Sequence, residues 1–143
     1  MSILAVNAGS SSLKFALYPI APDGIAAAEV TGNIEGLQPG GEPRIVLPGQ
    51  AGSAPEVLPV PVADDRFEAA LHALQRLLRE RWAHIGLEAV AHRVVHGGAL
   101  YRESVVATPE VLRQLATLNA LAPLHQPHNL AGVQAFRAAF PDV

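Results

Sequence analysis

Asn7-Ala8-Gly9-Ser10-Ser11-Ser12-Leu13-Lys14 is the stretch on which the chain's architecture turns. Before it, Ile3 to Val6 is an apolar run that reads as a buried strand. After it, Leu13, Phe15 and Leu17 alternate onto one face and read as a second strand. Between the two stand one glycine and three hydroxyl residues, closed by Lys14. A turn of small residues lets backbone N–H groups come close to an anion. Serine hydroxyls add donors, and the lysine adds a mobile positive charge. The run fits a phosphate-holding loop in a β-hairpin, and it also fits an ordinary polar hairpin turn. Either way, a hairpin entry differs from the strand–loop–helix entry of mononucleotide-binding folds.

Two neighbouring patterns are excluded by spacing. A Walker-type loop needs Gly-Lys-Ser/Thr at the head of a helix, whereas Lys14 follows Leu13 inside a strand-like run. A Gly-x-Ser-x-Gly elbow is missing, because Gly9 is followed by three serines. Adjacent serines suit phosphate binding better than an activated nucleophile, which needs one serine aimed at one base.

Working outward, Pro19 and Pro22 stop the hairpin and Asp23-Gly24 marks a turn. Ile25 to Ile34 reads as a third strand. Residues 36–62 hold six of the twelve prolines and five of the twelve glycines, so they read as a surface insertion with one short edge strand, Arg44 to Leu47. From Asp64 to Trp82, Phe67, Leu71, Leu74, Leu78 and Trp82 recur at helical spacing, and Asp65 with Glu68 has capping-box spacing. This helix reads as structural, with His72 and His84 at the surface.

Glu88 to His96 reads as a strand stopped by Gly97-Gly98. His92, Val94 and His96 then share one face, and Ala91, Arg93 and Val95 the other. An arginine in an apolar strand is costly unless its charge is paired. Arg93 is either a guanidinium fork for a carboxylate or phosphate near the strand's C-terminal end, or half of a structural salt bridge. Thr108-Pro109 opens a short helix with Val111, Leu112, Leu115 and Leu118 inward. Residues 121–130, Leu-Ala-Pro-Leu-His-Gln-Pro-His-Asn-Leu, form a constrained loop in which Pro123 and Pro127 frame His125. A third helix follows with Leu130, Val133, Phe136 and Phe140 inward, ended by Pro141.

Composition narrows the chemistry. The 143 residues can build one cored domain, half of them hydrophobic and 16% charged. The formal net charge of −3 offers no general attraction to nucleic acid or to an anionic membrane. The chain has no cysteine, which removes disulfides, thiol nucleophiles and cysteine-ligated metals and fits a reducing cytoplasm. The N-terminus lacks a signal-peptide pattern, and no apolar run reaches the roughly 20 residues of a membrane helix. A zinc site is disfavoured: His92 and His96 are about 13 Å apart on an extended strand, and His125 and His128 flank a proline.

What remains is anion chemistry. Lys14, Arg93 and His125 are cationic or proton-donating groups in separate loops or strand ends. Phosphoryl transfer asks for such groups, since its catalysis is mainly positioning and charge stabilisation. Magnesium would accompany it, held by few protein ligands and many waters, and Asn7 could supply one carbonyl oxygen.

At this point three separated segments resemble acetate kinases in order and spacing. They are Val6 to Phe15, Ala91 to Gly98 (Ala-His-Arg-Val-Val-His-Gly-Gly), and Leu121 to Leu130. The resemblance covers the whole chain and is weakest in 36–62. It implies an α/β fold of the actin-like ATPase (ribonuclease H-like) type, in which two related domains close over ATP. It also implies reversible transfer of the ATP γ-phosphoryl group to acetate, giving acetyl phosphate and ADP, with Mg2+, in the cytoplasm. Carried onto this sequence, Asn7 matches a magnesium-associated asparagine, and Ser10, Ser12 and Lys14 match the phosphate-contacting loop. Arg93 and His125 match active-centre residues, and Arg93, Val95 and Leu124 match the acyl-substrate side.

Family members are about three times longer, so residues 1–143 are expected to be the N-terminal domain, without the C-terminal domain and inactive alone. The catalytic aspartate and adenosine pocket would lie beyond it. The resemblance implies a homodimer for the full-length enzyme. Gln126 and His128 stand where the family commonly has Asn and a small residue. A propionate or butyrate kinase is the near alternative, and a non-catalytic anion- or partner-binding domain is the alternative of another class.

Overall fold

The computed structural model describes residues 1–143. Its first two strands, β1 (Ser2–Ala8) and β2 (Leu13–Ala21), form the expected antiparallel hairpin, in register from Ser2 opposite Pro19 to Ala8 opposite Leu13. The chain returns through β3 (Gly24–Ile25) and β4 (Val30–Glu35), then β5 (Arg44–Leu47) and β6 (Glu56–Pro59). A helix, α1 (Arg66–Trp82), leads into β7 (Leu87–His92), which lies parallel to β1. Two more helices, α2 (Pro109–Ala116) and α3 (Gln126–Ala139), follow, with a 3-10 turn at Asn119–Leu121 between them. The sheet order is β6-β5-β4-β2-β1-β7, with β3 added to the end of β2.

The period-two pattern of the hairpin decides which face is covered. Leu4, Val6, Ala8, Leu13, Phe15 and Leu17 are buried and pack with Leu71, Leu74 and Leu77 of α1 and with Phe136 of α3. Each of the larger side chains, Ala8 excepted, contributes roughly 1.5–3 kcal/mol by leaving water. A second cluster, Leu112, Leu115, Leu130 and Val133, joins α2 to α3. Residues of opposite parity, Asn7 and Lys14 among them, face away from these helices.

α3 reaches the end of β1 because position 132 is glycine: a Cβ there would sit 2.8 Å from the Cβ of Ala8. The caps are those the sequence indicates. The Asp65 carboxylate accepts from the Glu68 N–H at 2.8 Å, and the Thr108 hydroxyl accepts from the Val111 N–H at 3.2 Å.

Four boundaries differ from the sequence reading. The single strand expected over Ile25–Ile34 is two, β3 and β4. Pro19 has no N–H to donate, and the ladder resumes only at Leu17 opposite Val30. Residues 36–62 are more than a surface insertion: the expected strand Arg44–Leu47 is present as β5, but β6 lies beyond it in the sheet, and Leu37, Ile45, Leu47 and Val60 enter the main core. β7 ends at His92 and not at His96. α3 begins at Gln126, so half of the expected loop is helical. Proline is tolerated in a first helical turn, and Pro127 occupies that position. No helix is long and apolar enough to cross a membrane.

Candidate functional site

The two ends of the opening stretch meet across the hairpin. Asn7 is the cross-strand partner of Lys14, and Lys14 is in turn the partner of Asn33 on β4. On the other side of β1, Val6 pairs with His92, and the Arg93 N–H donates to the Val6 carbonyl at 3.0 Å. One step along both parallel strands, Arg93 and Asn7 follow on the face opposite Val6 and His92. Asn7, Lys14 and Asn33 therefore form one polar row across three adjacent strands, and Arg93, the residue after β7, continues it beside β1. It lies at the C-terminal end of β1, where open α/β sheets place ligands.

The row is positively charged. The chain's ion pairs are Arg44–Glu35, Arg81–Glu56 and Arg113–Glu110, and neither Lys14 nor Arg93 belongs to one. Both are exposed. Arg93 thus makes no salt bridge within these residues, and its exposure removes the desolvation cost that a buried position would carry. Asn33 donates to the Glu35 carboxylate at 3.0 Å, while its own Oδ1 is buried and has no hydrogen-bond partner. Nothing in the sequence singled out Asn33. It becomes visible through the β2–β4 register.

The turn itself is tight. The Gly9 N–H donates to the Ser12 carbonyl at 2.9 Å, and the Ser11 carbonyl accepts from the Leu37 N–H at 3.1 Å. Gly9 thus spends its amide on holding the turn. Ser10 and Ser11 are exposed and Ser12 is half-buried. Their hydroxyls make no hydrogen bond within the chain, so all three remain as donors.

The histidines have distinct surroundings. The His92 ring meets Phe136 edge-on at 5.1 Å, and burial lowers its pKa to about 4, so it is neutral at pH 7. The His96 Nδ1 accepts from the Gly98 N–H at 3.0 Å. His125 is exposed at the N-terminal boundary of α3, and its carbonyl accepts from the Asn129 N–H at 2.9 Å. Leu124 beside it is 77% exposed, and Val95 is 40% exposed.

Two buried amides join these parts. The Gln126 side chain donates to the His96 and Leu115 carbonyls at 2.9 and 3.2 Å and accepts from the His96 N–H at 3.2 Å. Asn129 accepts from the Val95 N–H at 3.1 Å and donates to the Ala8 carbonyl at 2.8 Å. Side chains here take the ladder bonds that a longer β7 would have made, which is why the strand stops at His92. Sequence reasoning noted Gln126 only as a departure and passed over Asn129.

Comparison with known proteins identifies the family. The family model described as the acetokinase family matches residues 2–143. Acetate kinase 1 of Lactococcus lactis is 40% identical over 142 residues, covering 97% of this chain and 34% of that protein. Acetate kinase of Methylocella silvestris is 42% identical over 149 residues, covering 99% and 36%. Among solved structures, a propionate kinase from Francisella tularensis superposes with a TM-score of 0.83 at 30% identity, covering 99% of this chain and 35% of that one. Porphyromonas gingivalis acetate kinase gives 0.80 at 31% identity, with the same coverage. The chain spans about a third of the length of the curated relatives it matches. Its mixed sheet with flanking helices is the actin-like ATPase fold of these kinases. The match over residues 2–143 makes this chain a member of the acetokinase family.

Proposed function

We propose that residues 1–143 carry the phosphate-loop and acyl-substrate half of a carboxylate kinase. That enzyme would transfer the ATP γ-phosphoryl group reversibly to acetate, giving acetyl phosphate and ADP. The observation that carries this reading is the row of Arg93, Asn7 and Lys14, whose two cations have no acidic partner in the chain. Such charges are suited to the oxygens of a transferring phosphoryl group, which needs positioning and charge neutralisation more than covalent help.

In this reading Lys14 and the Ser10 and Ser12 hydroxyls hold the nucleotide's phosphates. Arg93 holds the carboxylate and the migrating group by its planar fork. His125, exposed at the boundary of α3, donates a hydrogen bond to the same charge. Val95 and Leu124 supply apolar walls for the acyl methyl. Asn7 fits Mg2+ as a source of one neutral oxygen, directly or through water, because this ion keeps most of its hydration shell. When bound, Mg2+ would neutralise phosphate charge.

The 143-residue chain on its own is inactive in this account, since it would present only one wall of the cleft. ATP-dependent acyl phosphate formation, trapped as the hydroxamate, tests both statements. The full-length protein is expected to turn over and the isolated chain is not. Turnover by the isolated chain overturns the second statement, and failure of the full-length protein on acetate, propionate and butyrate overturns the first. The acyl preference follows from the same assay, since one methylene in an apolar pocket is worth roughly 1–3 kcal/mol.

A further inference from the structure

We propose that Asn129 and Gln126 are positioning residues with divided duties, Asn129 coupling the phosphate turn to the acyl wall and Gln126 serving the acyl wall alone. The proposal rests on the carboxylate-kinase reading for its kinetic part, but the clamp it describes is a matter of geometry. Asn129 is buried on the first turn of α3, and its amide is divided between two segments far apart in sequence. Its Nδ2 donates to the carbonyl of Ala8, the residue that precedes the Gly9–Ser12 turn. Its Oδ1 accepts from the N–H of Val95, two residues past Arg93.

Gln126, fully buried one turn earlier, uses its amide differently. It takes both the N–H and the carbonyl of His96, and its remaining donor goes to Leu115. Its side chain makes no hydrogen bond to β1 or the turn. A buried amide that loses its partner carries a desolvation penalty, so both clamps resist loosening. The absence of a Cβ at Gly132 keeps the helix against Ala8, within reach of this bond.

Amide hydrogen exchange in the full-length protein reads the clamps without any activity. Asn129→Ala should speed exchange at the Val95 amide, and Gln126→Ala at the His96 amide, each by about tenfold. The Phe15 and Leu17 amides should stay at their wild-type rates. Unchanged exchange at Val95 and His96 overturns the proposal.

Steady-state kinetics read the division of duties. Gln126→Ala should raise the carboxylate KM about fivefold or more with the ATP KM within about twofold, while Asn129→Ala raises both. Equal losses of kcat in the two variants with both KM values unmoved mean general structural support and overturn the division. If an alanine variant fails to fold, the near-isosteric Asn129→Leu or Gln126→Met replaces it. Each loses the same hydrogen bonds and carries the same expectation; an ATP KM that rises in Gln126→Met and stays at wild type in Asn129→Leu contradicts the proposal. A wild-type protein without turnover counts against the kinase reading alone, and the exchange result then decides the clamp.

Discussion

Asn7 and Lys14 face each other across the hairpin, one pair before the turn that joins their strands. The pairing puts an asparagine and a lysine on the same face of the hairpin, next to a turn that carries three hydroxyls. It also gives Lys14 a defined base, since its strand neighbours Leu13 and Phe15 are anchored in the core. The charge is thus carried by a residue fixed in the sheet, the support that the proposed phosphate contact would require.

Lys14→Met should therefore separate the two substrates. The stem volume is kept and the charge is lost. In the full-length protein the ATP KM should rise about tenfold or more, with the acetate KM changed by about threefold at most. Steady-state kinetics with each substrate varied in turn checks this, and a larger effect on acetate than on ATP contradicts it.

Gly132→Ala should destabilise the fold although alanine is the better helix former. The propensity gain is about 1 kcal/mol. Against it stands a methyl group 2.8 Å from the Ala8 Cβ, between a packed helix and a central strand. Overpacking of this kind costs about 1–3 kcal/mol. A chemical-denaturation midpoint below wild type is expected, and a midpoint at or above wild type would show that α3 can move away freely.

His92 should make the fold acid-sensitive. Burial holds its folded-state pKa at about 4, below the ordinary value of 6.5. Between those two values the unfolded chain binds more protons than the folded one. The stability tied to the neutral ring is complete above about pH 6.5 and is lost as pH falls toward 4. At pH 5 the loss has a ceiling of about 2 kcal/mol, reduced by solvent reaching part of the ring. His92→Leu should shrink the drop in melting temperature between pH 7 and pH 5. An equal drop in both proteins would assign the sensitivity elsewhere.

The hairpin, α1 and the inward faces of α2 and α3 were legible because their apolar periods are regular. Phe67 to Trp82 follows a helical stripe, and Leu13, Phe15 and Leu17 alternate. β6 was missed because Val57 and Leu58 lie between prolines, and its place at the sheet edge depends on pairing with β5. The end of β7 was misjudged because hydrogen bonds there come from Asn129 and Gln126, more than thirty residues away in sequence for Val95. Lys14 and Arg93 could be picked out one by one as charged residues in odd places. Their common row, and the presence of Asn33 in it, follow only from strand register.

The chain's membership of the acetokinase family gives the fold, and the unpaired cations give the chemistry its most direct test. In the full-length protein, Arg93→Ala should lower kcat/KM for acetate by about a hundredfold or more, with the melting temperature held near wild type because the side chain is exposed and unpaired. Turnover and acetate affinity close to wild type in that variant would contradict the account.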